Sequence, residues 1–156
     1  MSDQIQIRTE FKPGDIGYLT YMHGLFYDFM PEFEMYVAET LSDFYRKMDL
    51  EKERIWLAED KGKIVGSLVL KNTDGFAQLR YFLIDPAYRG IGLGKKLMEH
   101  FMDFMREAGY TKSFLLTEGN LKTAAAIYEK HGYQFVSRRF TDFGLEERRY
   151  ELELTN

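Results

Sequence analysis

Residues 85–96, DPAYRGIGLGKK, constrain this chain more than any other segment. The apolar run Leu79, Tyr81, Phe82, Leu83 and Ile84 reads as a strand that stops at Asp85-Pro86. Arg89 and three alternate glycines follow, Gly90, Gly92 and Gly94, and a helical pattern starts at once, with Leu93, Leu97, Phe101, Phe104 and Met105 on one face. Strand, glycine loop and helix in this order form the layout of a phosphate cradle. Glycine lets backbone approach a ligand closely, and the N–H groups of a first helical turn have no partner inside the helix. Those donors and the positive end of the helix dipole suit a pyrophosphate. The run is not a Walker loop, because Lys95 is followed by Lys96 rather than Ser or Thr. It is a poor dinucleotide fingerprint as well, since the third glycine falls one position early and the strand sits mid-chain. The plain alternative is a glycine-rich tight turn, but such a turn needs one or two glycines rather than three at alternate positions.

The chain around this segment has 156 residues, enough for one domain with a real core, and a single domain over 1–156 is expected. Thirteen Phe and eleven Tyr place large rings in that core. A net charge of −4 argues against nucleic acid or an anionic membrane as the main partner. With no cysteine there is no thiol nucleophile and no thiolate metal site. His23, His100 and His131 are scattered, so no metal is expected. No leader and no membrane-length apolar run stands out, and the expected location is cytoplasmic.

Local signals give the element order β-α-α-β-β-β-α-β-α-β-β. Ile5 to Arg8 alternates as a short strand, and Asp15 is expected to cap a helix running to about Phe29, which Pro31 breaks. Phe33, Val37, Leu41, Phe44 and Met48 mark a second helix. Ile55–Glu59 and Ile64–Leu70 are strands joined by the hairpin turn Asp60-Lys61-Gly62. A long strand, Phe76–Ile84, enters the glycine loop, and the helix after it stops at Gly109. Ser113–Thr117 is a strand, a helix runs from about Leu121 to Lys130, and Gln134–Arg139 pairs with Arg148–Leu154. Strand alternation puts Gln78, Arg80, Phe82 and Ile84 on one face.

With these elements in place, the chain resembles the GNAT superfamily of acetyl-CoA-dependent N-acetyltransferases. Arg89-Gly90-Ile91-Gly92-Leu93-Gly94 matches that family's R-x-x-G-x-G/A motif in full, and Leu83-Ile84-Asp85-Pro86 is similar to the usual end of its fourth strand. Ala124, Tyr128, Glu129, Lys130, Gly132 and Tyr133 resemble its A…YEK-x-G-F/Y motif. The resemblance covers roughly Ile5 to Leu154. His23 to Tyr27 and Phe33-Glu34 look most like GNAT domains fused to MarR-type regulators, although the chain has no room for a winged-helix domain.

The resemblance implies an α/β GNAT fold whose mixed, mostly antiparallel sheet splays between its fourth and fifth strands and is flanked by helices. It implies acetyl-CoA as cosubstrate, with the pyrophosphate on Arg89, Gly90, Ile91, Gly92, Leu93, Gly94 and Lys95, and the pantetheine arm along Leu83 and Ile84. It implies that Tyr128 protonates the departing thiolate. The family often has Asn seven residues before this tyrosine; here Asn120 stands eight before it, so it either meets the cofactor or caps a helix. On the bland reading, Tyr128 is a packed core residue.

Direct transfer to a primary amine of a small molecule or peptide also needs a general base. Where the family often has Glu, this chain has Gln78, which cannot serve. A water or another side chain is left for the task, with Glu118 either a base or a solvated or capping carboxylate. The acceptor wall falls to the first two helices, with His23, Tyr27 and Glu34 as substrate-binding residues, because aromatic faces and carboxylates attract a cationic amine. The alternatives for that segment are core packing and surface. A catalytically weak acyl-CoA-binding regulatory module is the rival reading for the whole chain, and a homodimer is left open.

Overall fold

The computed structural model describes residues 4–28, 30–118 and 122–155. Its elements run β1 (Ile5–Arg8), α1 (Asp15–Tyr27), α2 (Pro31–Lys47), β2 (Arg54–Asp60), β3 (Lys63–Thr73), β4 (Phe76–Ile84), α3 (Leu93–Glu107), β5 (Lys112–Glu118), α4 (Lys122–Lys130), β6 (Gln134–Phe140) and β7 (Glu146–Glu153). A single 3₁₀ turn, Pro86–Tyr88, leads from β4 into the glycine loop. The strands form one seven-stranded sheet in the order β1-β2-β3-β4-β5-β7-β6. All neighbours are antiparallel except β4 and β5, which are parallel.

The apolar periodicities decide which face each helix covers. Leu93, Leu97, Met98, Phe101 and Met105 of α3 pack with Trp56, Leu68, Leu79 and Tyr128 on one side of the sheet. Leu19, Met22, Phe33, Val37, Leu41 and Phe44 of α1 and α2 pack with Ile55, Leu57, Val69 and Tyr81 on the other. A helix–sheet–helix sandwich results, with apolar stripes meeting a sheet buried on both sides through its middle strands. The β2–β3 hairpin closes through Lys61 (φ 52°) and Gly62 (φ 81°), the left-handed pair that a tight hairpin requires.

Two expectations need correction. Asp15 is the first residue of α1, and Gly14 (φ 94°) is its N-cap. The Asp15 carboxylate instead takes the Lys12 N–H at 2.5 Å and pairs with Arg8 at 2.6 Å, because a cation from β1 outcompetes a neutral cap. The second correction concerns the faces of β4. Ser67 pairs with Leu83 and Val69 with Arg80, so Tyr81 and Phe82 lie opposite the single residue Leu68. This is a β-bulge, and it reverses the alternation. Before it, Leu79 packs with α3; after it, Phe82 and Ile84 do, while Tyr81 and Leu83 turn to α1 and α2. Gln78 and Arg80 are therefore on the opposite face from Phe82 and Ile84. Tyr81 takes φ 50°, a left-handed conformation unusual for a bulky residue, held by Ser67 Oγ donating to its carbonyl at 2.6 Å.

The bulge also opens the sheet. β4 and β5 pair only over Ala77–Leu79 against Ser113–Leu115 and part beyond. Because Asp85 N–H donates to the Val65 carbonyl, the backbone edges of Leu83 and Asp85 face β3, and those of Phe82 and Ile84 face the gap.

Candidate active site

The gap between β4 and β5 becomes two connected hollows. An apolar groove runs from Arg89 past Ile84, Leu83 and Phe82 to Ile127 and Tyr128 of α4, with a volume of about 190 Å³. An inner recess of about 70 Å³ lies beyond it, between α1, α2, β4 and the end of β5. Tyr27, Phe82 and Tyr128 line both hollows, so the two meet at these three rings.

The outer end of the groove is the glycine loop. Gly90 (φ 79°) and Gly92 (φ 85°) occupy left-handed backbone that a side chain would strain, and a Cβ at either would meet open space. Gly94 has a different reason. It lies in the first turn of α3 with the Phe82 ring 3.6 Å and the Ile127 side chain 3.8 Å from where its Cβ would be, so it sets how closely α3 approaches β4 and α4. Lys96 N–H makes the first helical bond, to the Gly92 carbonyl at 3.0 Å. The N–H groups of Leu93, Gly94 and Lys95 precede it and are free of helical acceptors. Arg89 and Ile91 are exposed at the loop's rim. Of the strand residues expected along the arm, Ile84 presents its backbone edge to the gap, whereas Leu83 spends its own on β3 and lends the groove its side chain. Asn120 lies outside the described residues.

Tyr128 is buried, yet its hydroxyl makes no hydrogen bond to any described residue. Burial, with Tyr27 and Tyr133 nearby, pushes its pKa well above the ordinary phenol value, so it keeps its proton at neutral pH. The Tyr27 hydroxyl donates to the Phe82 carbonyl at 2.6 Å, reaching from α1 onto the open edge of β4. His23 stacks on Tyr27 at 5.7 Å, the α-helical neighbour that four-residue spacing predicts. Its Nδ1 lies 2.7 Å from the Leu19 carbonyl, which only accepts, so Nδ1 carries the proton and Nε2 is a lone pair. Burial lowers its pKa to about 4, which leaves the ring neutral. His23 and Tyr27 line the recess; Glu34 does not, being exposed on the first turn of α2 with its carboxylate against Gly24.

Glu118 gains a weight that the linear sequence does not give it. It closes β5 at the recess, directly opposite Glu147 of β7. Burial, and then the like charge of Glu147, raise its pKa to about 7. Glu147 is itself held by Arg139 of β6 at 2.6 Å. Gln78 and Arg80 form the recess floor, with the Gln78 side chain accepting from Thr73 Oγ1 at 2.7 Å. Among the described residues no cluster of His, Asp and Glu is placed to hold a metal ion.

A sequence model described as the acetyltransferase (GNAT) family matches residues 21–133. The chain belongs to the GNAT acetyltransferase family. Among its relatives is an uncharacterized N-acetyltransferase of Escherichia coli, YjgM, 33% identical over 102 residues, which cover 62% of this chain and 60% of that protein. A rat N-acetyltransferase 8 and a Beutenbergia cavernae mycothiol acetyltransferase are matched over 42% and 29% of their lengths, so the chain spans less than two thirds of each of these curated relatives. Among solved structures, an acetyltransferase from Streptococcus agalactiae is 26% identical with a TM-score of 0.79, covering 98% of this chain and all of that one. A GNAT acetyltransferase from Elizabethkingia anophelis, solved with acetyl-CoA bound, shares the GNAT fold at a TM-score of 0.70 and 18% identity, covering 98% and 100% of the two chains. The seven-stranded mixed sheet, parallel only between β4 and β5 and flanked by helices, is the GNAT fold. Among the described residues no helix is long and apolar enough to cross a membrane.

Proposed function

We propose that this GNAT domain transfers the acetyl group of acetyl-CoA to a primary amine directly, as one cytoplasmic domain over 1–156. The observation that carries the reading is the junction at Tyr128, where a groove leading from a glycine-loop helix start meets a polar recess. In this reading the pyrophosphate lies on the free N–H groups of Leu93, Gly94 and Lys95, with Arg89 at the rim. The pantetheine amides pair with the N–H of Phe82 and the backbone edge of Ile84, taking the place of the missing β5 partner. The acceptor enters the recess past α1 and α2, the segment read above as resembling GNAT domains fused to MarR-type regulators.

The amine nitrogen bonds to the thioester carbonyl carbon and the carbon–sulfur bond breaks. The proton leaving nitrogen goes to the Glu118 carboxylate, whose raised pKa suits a base working near neutrality. Tyr128, protonated and without a hydrogen-bond partner among the described residues, gives its proton to the sulfur. His23, neutral, offers an acceptor lone pair to the amine's second N–H.

The test is thiol release from acetyl-CoA with an amine panel, run with Tyr128→Phe. The variant keeps the ring and loses the hydroxyl, so turnover is expected to fall by roughly 10²–10⁴-fold, with acetyl-CoA affinity nearly kept. Acetyl-CoA binding with no turnover by any amine would favour the rival reading, a regulatory acyl-CoA-binding module.

A further inference from the structure

Arg80 lines the recess, yet the acyl-transfer steps give it no role. It follows the last β4 residue paired with β5, immediately before the bulge. Its guanidinium lies over the Tyr81 ring at 4.7 Å and the Tyr36 ring at 5.7 Å, and one nitrogen donates to the Tyr36 hydroxyl at 2.8 Å. Two aromatic faces and a hydrogen bond fix the fork before any ligand arrives. Arg8, Arg139, Arg148 and Arg149 each touch a carboxylate. Arg80 has no carboxylate within 4.0 Å among the described residues, although it lines the same recess as Glu118. Most of its five donors are therefore still available to an acid.

We infer that the acceptor is a small amine that itself carries a carboxylate, an amino-acid-like zwitterion whose acid is held by Arg80 while its nitrogen faces Glu118. A guanidinium fork matches a carboxylate in two-point geometry, which a lone amine gives no reason to build.

The inference rests on the acetyl-transfer reading, and matched acceptors separate the two. Thiol release is measured with amino acids, their carboxamides and the corresponding decarboxylated amines. The acid is expected to exceed its carboxamide at least tenfold in kcat/KM. In Arg80→Gln that ratio is expected to collapse towards one, and Arg80→Lys, which keeps charge but loses the fork, should fall between. Equal use of acid and carboxamide by the unaltered protein overturns the inference and leaves acetyl transfer standing. So does a preference for amines bearing phosphate or sulfonate over carboxylate. No thiol release with any acceptor overturns both readings. The unaltered protein alone decides the first comparison, so poor folding of an Arg80 variant does not remove the test.

Discussion

At the scale of single residues, Glu118 makes the sharpest commitments. With its pKa raised from an ordinary 4.5 to about 7, the basic form accumulates as pH rises through neutrality. At saturating acetyl-CoA, kcat/KM for the amine should climb to a plateau with an apparent pKa near 7, and Glu118→Gln should flatten that limb while lowering the plateau by roughly 10²–10⁴-fold. Stability moves the opposite way. A native state that holds a proton the unfolded chain would release is favoured below pH 4.5 and loses that advantage as pH rises to about 7. Glu118→Gln should therefore melt higher than the unaltered protein at pH 8, with the gap closing towards pH 4. Paired pH–rate profiles and thermal melts check both.

At the scale of elements, β7 is what tunes this carboxylate. Glu147 faces Glu118 across the β5–β7 ladder, and like charges directly opposed are unfavourable. Arg139 of β6 offsets Glu147 from its other side. Glu147→Gln should lower the apparent pKa of the rate profile, and Arg139→Gln, which uncovers Glu147, should raise it. The junction of α3 with β4 and α4 allows a separate test in the groove. An alanine at Gly94 would make ordinary contacts of 3.6 and 3.8 Å, whereas the extra methyl groups of Val would press on Phe82 and Ile127. Calorimetry should find acetyl-CoA affinity within a few-fold of normal for Gly94→Ala and weakened at least tenfold for Gly94→Val.

These elements also show what a linear reading can and cannot reach. The β4 boundaries, the hairpin at Lys61-Gly62 and the α3 stripe are written in local patterns, and the structure has them where the patterns put them. The bulge at Tyr81 has no such signal, because neither glycine nor proline marks it; Ser67, distant in sequence, supports it. Its reversal of faces separates Arg80 from Phe82. Glu118 depends on sheet order, since only the placement of β7 beside β5 brings Glu147 opposite. The pairing of His23 with Tyr27, by contrast, follows from helical spacing alone.

At the scale of the whole molecule, the sheet is two sheets joined over a short seam. Among the described residues, the backbone ladder between the β1–β4 half and the β5–β7 half runs only over Ala77–Leu79 and Ser113–Leu115. A ligand lying in the gap extends that seam. Hydrogen exchange at the Phe82 and Ile84 amides should be fast in the free protein and slow with acetyl-CoA bound. The global stability should rise by about 2.7 kcal/mol at a ligand concentration one hundred times Kd. Exchange that slows only at the glycine loop would mean that the arm does not follow β4.

The hydroxyl of Tyr27 on the Phe82 carbonyl has a consequence for anyone who wishes to retarget the enzyme. Tyr27 belongs to the helix that walls the recess, yet its bond ends on the edge assigned to the pantetheine arm. On the proposed reading, libraries built on that helix should therefore produce variants whose appetite for acceptor and for acetyl donor drift together. Diversity introduced at Gln78 and Arg80, on the reverse side of the same strand, escapes this linkage, because the bulge turns those side chains away from the groove.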